Sequence, residues 1–527
     1  MRLAAMMLTI CLLGAGLRTY QPEVVAPPLP VQAGAHCRVQ IFRAARFQGD
    51  APRLADFVPP AACRGPWSRV VLTWHTRIAG RQYDRIGELY VGRREVFRFS
   101  TAEPTRHGID YTVKADLTRY APILREPQPV VAELANYVNK RYDGIYVIDA
   151  DLTFYQAAPH APVAEAADAI VPLENEANTV PAFHLQTPQD RASATLQHLP
   201  RNIVHAELEV YSTQHGCDEF YYDNQPDAFA AKHKSDGLCG GGAYREIDVY
   251  IDGRVANVIY PFPWIYTGGV NPILWRPIPS IDALNIPPYR VDLDPFAGVL
   301  SDGKPHTVAI GVVNDRGDWI TDANLFLTLD RSVSHTGGAI LSQSFSPLDK
   351  LRETQSAAQG AFDFKTSASR VFHIEGYVST PHGRVVHAIT THMSFSNAQM
   401  LDLQTGRQNA VQSLKYVTAT SMKTGSQQAQ RRIVTASYPL IVDSVYTPVK
   451  RSGKYDLQIR AYVDQQRNVS GEDHTCRDRV VAFATYDRAK TEAATIAHGH
   501  TSQSYRCTGK AGSFVIQKTA NDGDVRP

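Results

Sequence analysis

The stretch GCDEFYYDN (216–224) sets three carboxylates, Asp218, Glu219 and Asp223, among three aromatic residues directly after Cys217. Acids beside rings are what carbohydrate chemistry uses: rings stack on pyranose faces while a carboxyl group in a water-poor pocket moves a proton. The plain alternative is a solvated turn. A second stretch of this kind is GRQYDRIGELYVG (80–92), in which Asp84, Ile86 and Glu88 share one face of an expected strand and Tyr83 falls on the other. Asp84 begins that strand, at a sheet rim where pockets form; an ion pair with Arg85 is its bland reading. The third, YPFPWIYTGGVNPILWRPIP (260–279), holds five aromatics, five prolines and Arg276. It is too rich in proline for a central strand and reads as a shaped loop. That loop is either an inter-domain pad or a sugar platform on which Arg276 donates paired hydrogen bonds. Trp264 in this loop and Tyr222 in the first stretch are the rings expected to bind substrate.

Other chemistries find little support. No G-x-S-x-G elbow presents a nucleophilic serine, and no H-E-x-x-H or D-x-D-x-D-G run presents zinc or calcium ligands. The cluster His215, Cys217, His233 and Cys239 matches no common zinc spacing, and a Cys217–Cys239 disulfide is the better reading in a secreted chain. No metal or other cofactor is expected. The net charge of +2 in 527 residues gives no electrostatic reason for a nucleic-acid or membrane partner.

The elements that must position these groups are strands. In RVVLTWHTRI, Val70, Leu72, Trp74, Thr76 and Ile78 fall on one side, and in REIDVYIDGRVANVIY the residues Ile247, Val249 and Ile251 alternate with Glu246, Asp248 and Tyr250 before a two-residue Asp252-Gly253 turn. Helical periods are not interleaved with these strands, so the expected fold is all-β, built of antiparallel, jelly-roll-like or immunoglobulin-like sandwiches. The expected division is a signal peptide at 1–16, an irregular segment at 17–65, a first sandwich at 66–160, a linker at 161–199, a second sandwich at 200–331 and a separate β-rich region at 332–527. The leader carries Arg2, an apolar run from Leu3 to Leu13 and small residues at 14–16, the layout of a secretory signal. A secreted or periplasmic protein follows. Six cysteines then remain, an even number suited to an oxidising compartment. They permit about 15 connectivities, and their separations suggest Cys37–Cys63, Cys217–Cys239 and Cys476–Cys507.

The three stretches, read with FRFSTAEPTRHGIDYTVKADLTRYAPIL, GGGAYREIDVYIDG and LNIPPYRVDLDPFAGVLSDGKPHTVAIGVVNDRGDWITDANLFLTLD, resemble the peptide:N-glycosidase A family over 66–160 and 200–331. A fainter likeness extends to the short peptide:N-glycosidase F enzymes, whose two adjacent jelly rolls hold the active site between them. What the resemblance implies is amidase activity on N-glycosylated peptides and proteins, without a cofactor. By carry-over, Asp84 would be the principal acid/base, Glu219 its partner in the second jelly roll, and Arg276 the arginine near the sugar. Glu133, in VVAELANYVNK, is the nearest match to a further glutamate, with an exposed strand residue as its alternative. Two carboxylates serve glycoside hydrolysis equally, so an endo-acting glycosidase and a non-catalytic glycan-binding sandwich are the rival readings.

Overall fold

The computed structural model describes residues 20–29, 35–158, 167–348, 351–358, 360–448, 455–489, 495–510 and 512–526; the expected signal peptide lies outside them. Eight strands build the first sandwich: β1 (His36–Phe47), β2 (Arg53–Phe57), β3 (Trp67–Ile78), β4 (Ile86–Val91), β5 (Arg94–Ser100), β6 (Ile109–Asp116), β7 (Gln128–Leu134) and β8 (Tyr146–Gln156). They form two antiparallel sheets ordered β1-β8-β3-β6 and β2-β7-β4-β5. That interleaving is the double Greek key of a jelly roll. The alternation in β3 does what its period requires, since Val70, Leu72, Trp74, Thr76 and Ile78 are all buried between the sheets.

A second sandwich repeats the plan. Its strands are β9 (Ala169–Leu173), β10 (Phe183–Leu185), β11 (Ala192–Leu196), β12 (Ile203–His215), β13 (Glu246–Ile251), β14 (Arg254–Ile259), β15 (Tyr289–Asp292), β16 (His306–Val313) and β17 (Asp318–Leu329). The sheets run β10-β17-β12-β15, with β9 also on β17, and β11-β16-β13-β14. Counted from β10, this is the same jelly-roll order. Between β13 and β14, Ile251 pairs with Arg254, and Asp252 and Gly253 take φ of 50° and 77°, the left-handed pair that a tight hairpin turn demands.

Residues 332–527 hold one antiparallel sheet: β18 (Gly337–Phe345), β19 (Arg352–Ala358), β20 (Ala361–Thr380), β21 (Gly383–Asp402), β22 (Arg407–Thr424), β23 (Gln430–Pro448), β24 (Tyr455–Ser470), β25 (His474–Ala489), β26 (Ile496–Gly509), β27 (Gly512–Asn521) and β28 (Asp524–Arg526). A single sheet cannot cover its own apolar face. Phe372, Ile374, Ile389, Phe395, Leu440 and Val463 therefore join one core with Ile247, Val249, Trp319 and Leu325 of the second jelly roll. The region expected to stand apart is thus packed onto its neighbour. The same packing buries the polar side of β13, where Glu246 pairs with Arg370 of β20 at 2.9 Å.

Two further expectations are corrected. The segment 17–65, read as irregular, contains β1 and β2; register shifts at Gln40/Phe42 and Phe42/Ala45 break the period-two signal of β1. The segment 161–199, read as a linker, contributes β9, β10 and β11, whose 5, 3 and 5 residues are too short to show alternation. The bridges Cys37–Cys63, Cys217–Cys239 and Cys476–Cys507 are formed. Among the described residues no helix is long and apolar enough to cross a membrane.

Candidate active site

Asp84 lies two residues ahead of β4, in the loop that leaves β3. That loop is tied down on both sides: the Arg85 amide donates to Thr101 Oγ1 at 2.9 Å, the Thr101 amide to the Arg85 carbonyl at 2.8 Å, and the buried Tyr146 hydroxyl to the Tyr83 carbonyl at 3.0 Å. The Asp84 carboxyl is half-buried and accepts the Gly268 N–H. Burial raises its pKa, while that N–H and the nearby Arg85 pull it back.

Gly268 is where the two jelly rolls meet. A Cβ there would strike Asp84 Oδ1 and lie 2.8 Å from Asp84 Cγ and 2.9 Å from Glu103 Oε1. Only glycine lets the backbone of the 260–279 loop come this close to both acids. On the other side, a Cβ at Gly269 would lie 3.3 Å from the Phe220 ring, the residue next to Glu219. The Gly-Gly pair is therefore sandwiched between the acids of the first jelly roll and the Glu219 loop of the second.

Glu103 and Arg276 close the third side. Arg276 Nη2 donates to Glu103 Oε2 at 3.1 Å, its guanidinium stands 5.5 Å from the centre of the Tyr20 ring, and the Tyr20 hydroxyl donates to the Glu103 carbonyl. Burial pushes the Glu103 carboxyl up to about 7; Arg276 opposes the shift and the charge of Asp84 adds to it. Among the described residues Arg276 Nε is buried without a hydrogen-bond partner.

Glu219 follows β12 on a 3₁₀ turn that would wander without support. Its neighbour Asp218 supplies that support from the opposite direction, accepting Arg245 Nη2 at 2.6 Å and Nε at 2.8 Å, and Trp319 Nε1 at 2.8 Å. The Cys217–Cys239 bridge closes the loop behind it. Of the three acids in GCDEFYYDN, Asp218 is thus buried structure, while Glu219 is only partly buried and feels the charge of Asp84. Burial raises the Glu219 carboxyl to about 7, and the negative charge of Asp84 adds to the rise. Asp223 goes up further, to about 8, through burial alone.

The structure thus brings Asp84, Glu219 and Arg276 together and adds Glu103, which sequence reasoning missed. The signal for Glu103 was slight: an acid fixed ahead of Pro104 in STAEPT, with nothing to link it to Arg276 far along the chain. Glu133 is elsewhere, on β7 directly opposite Glu88 of β4, where burial and the Glu88 charge raise it to about 7. The expected sugar platforms also fail: Tyr222 is 0% exposed and Trp264 2%. Trp264 packs on Phe262, and Phe262 on Tyr438 of β23, with centroids 4.7 and 5.2 Å apart. Their rings are the inter-domain pad. Tyr83 (42% exposed) and Tyr446 (40%) are the open rings near the acids. The sulfurs of Cys217 and Cys239 are bonded to each other rather than free as thiolates beside His215 and His233, and among the described residues no group of three or more ligating side chains converges.

Residues 28–345 match the family model described as peptide N-acetyl-β-D-glucosaminyl asparaginase amidase A. The chain is 33% identical over 395 residues to the peptide-N4-(N-acetyl-β-glucosaminyl)asparagine amidase A of Prunus dulcis, an alignment that covers 72% of this chain and 69% of that one. Among solved structures, PNGF-II aligns at 12% identity with a TM-score of 0.39, over 57% of this chain and 66% of its own. PNGase F, a glycosylasparaginase from Flavobacterium meningosepticum, aligns at 12% identity with a TM-score of 0.37, over 56% of this chain and 96% of its own.

Proposed function

The chain belongs to the peptide N-acetyl-β-D-glucosaminyl asparaginase amidase A family and is an amidase of N-glycosylated peptides and proteins, and we propose that it works through Asp84 and Glu219 after secretion. The bond broken joins the asparagine side-chain carbonyl carbon to the nitrogen on C1 of N-acetylglucosamine. Water adds its oxygen to that carbon, the C–N bond breaks, the glycan leaves whole as a glycosylamine, and aspartate stays in the peptide.

An amide carbonyl is a poor electrophile, so the attacking water must lose a proton and the leaving nitrogen must gain one. The two acids differ in the way this division needs. Asp84 carries a backbone N–H that favours its charged form and takes the water's proton. Glu219 holds its proton to about 7 and gives it to the departing nitrogen. Arg276, held by Glu103, sets a positive charge beside the oxygen on which charge develops. What carries the reading is the wedge at Gly268, which puts acids of the first jelly roll and the Glu219 loop of the second against one backbone segment. The leader at 1–16 and the three disulfides support export to an oxidising compartment.

Incubation with one N-glycopeptide tests the reaction class. The expected product is the full-length peptide with aspartate in place of asparagine. A peptide still bearing one N-acetylglucosamine marks an endoglycosidase, and an unchanged glycopeptide that nevertheless binds marks a lectin.

The acid pair also sets the pH profile. As pH rises out of the acid range Asp84 ionises and kcat/KM climbs; as it passes about 7 Glu219 loses its proton and kcat/KM falls. The optimum is therefore expected on the mildly acidic side of neutrality. Glu219→Gln, which cannot ionise, should lower activity and erase the alkaline limb. An alkaline limb that persists in this variant assigns it to another group.

A further inference from the structure

The sheet at 332–527 lies largely outside the family match, yet it holds two of the loops that build the acid site, the one with Glu219 and the one with Arg276. On its buried face, among apolar side chains, stand amides that spend their hydrogen bonds on loop carbonyls. Asn397 Nδ2 donates to the Tyr222 carbonyl at 2.9 Å. Gln399 Nε2 donates to the carbonyls of Tyr222 at 3.2 Å and Asn224 at 3.1 Å. Gln408 Nε2 donates to the Asp223 carbonyl at 2.9 Å. These three carbonyls follow Glu219 within five residues. The Arg276 loop is held in the same way: the Tyr446 hydroxyl donates to the Val270 carbonyl, the Thr501 hydroxyl to the Leu274 carbonyl, and Gln465 donates to the Pro263 carbonyl at 2.8 Å while accepting the Ile281 amide at 3.2 Å.

Irregular loops have carbonyls that no ladder satisfies, and a buried carbonyl without a partner is costly. Here the partners come from one sheet. The contacts fall three residues after Glu219, two after Gly268 and two before Arg276. We infer that the C-terminal sheet is part of the catalytic apparatus, with Gln399 the positioning residue for Glu219 and Tyr446 the positioning residue for the Gly268 wedge. The inference rests on the proposed roles of Asp84 and Glu219. A catalytic group must be held by supporting hydrogen bonds to within a fraction of an ångström, so loosening these ties should lower turnover more than it lowers folding.

The test compares Gln399→Ala and Tyr446→Phe with Arg407→Ala, a control on the same sheet whose side chain is half exposed and pairs with Asp443. Tyr446→Phe keeps the ring at an exposed position and removes only the bond to Val270, so it folds whatever Gln399→Ala does. Expected are a kcat about tenfold lower for Tyr446→Phe and about ten- to a hundredfold lower for Gln399→Ala, with KM and melting temperature little changed in the former. Gln399→Ala should also move the alkaline limb to lower pH, because Glu219 is freed from its buried position. Arg407→Ala should match wild type. If both variants keep the wild-type kcat and pH profile while Asp84→Asn is inactive, the positioning inference fails and the acid assignment stands. If Asp84→Asn keeps turnover, both fail.

Discussion

Asp84→Asn is expected to fold as the wild type does, to bind N-glycopeptide, and to lose about 10²- to 10⁴-fold in turnover, the range that a positioned general base supplies. The substitution is isosteric, and the asparagine Oδ1 can still accept the Gly268 N–H, so the wedge between the jelly rolls stays in place. What disappears is the only property the reaction needs from this position, a carboxylate that takes a proton from water. A second change should accompany it. Part of the rise of Glu219 comes from the charge of Asp84, so in the neutral variant Glu219 should titrate at lower pH, toward its ordinary value. Turnover of a glycopeptide followed by mass, a melting curve, and the Glu219 titration followed by carboxyl-carbon NMR check the three parts. Near-wild-type turnover would remove Asp84 from the role.

How much of this was legible depends on whether the signal is local. Period two in β3 and the Asp252-Gly253 turn are properties of a few adjacent residues, and both appear in the structure as read. The short cysteine loops are similarly local. The burial of Trp264 and Tyr222 is not: a ring in a proline-rich loop looks the same whether it faces a sugar or Tyr438, and Tyr438 is supplied by a strand more than a hundred residues away. Glu103 was hidden for the same reason, since its meaning comes from Arg276. Glu133 was misplaced because sequence spacing along β7 fixes which face a residue takes but not which strand lies opposite, and the strand opposite carries Glu88. The alternation in β13 was legible but the cover on its polar side was not, because Arg370, which pairs with Glu246, comes from a strand more than a hundred residues away. In each case the residue type was informative and its surroundings were set by contacts distant in the chain.

The largest stability effect outside the apolar cores is expected at Arg245. Its guanidinium and the Asp218 carboxylate are both wholly buried, 2.6 Å apart, and Arg245 Nη1 also serves the carbonyls of Gly241, Gly242 and Tyr244 at 3.1, 2.9 and 2.9 Å. Asp218 in turn accepts from Trp319 and from the Arg316 amide. Arg245→Ala removes the guanidinium paired with Asp218 and leaves that buried carboxyl without it, beside Asp315, itself raised to about 7 by burial and then by Asp218. Breaking a buried pair on one side costs about 3–5 kcal/mol. By contrast Arg316→Ala, which breaks the exposed pair with Asp227, should cost no more than about 1 kcal/mol. Urea unfolding of the two variants should separate them clearly, and equal midpoints would show that the Asp218–Arg245 pair is not what holds the loop. The functional consequence follows from sequence adjacency. Glu219 is bonded to Asp218, so at temperatures where Arg245→Ala is still folded its kcat should fall while Arg316→Ala keeps the wild-type value. Asp218 and Glu219 thus divide one loop between them: the first is paired and buried, and it fixes the backbone from which the second, in the proposed mechanism, gives its proton.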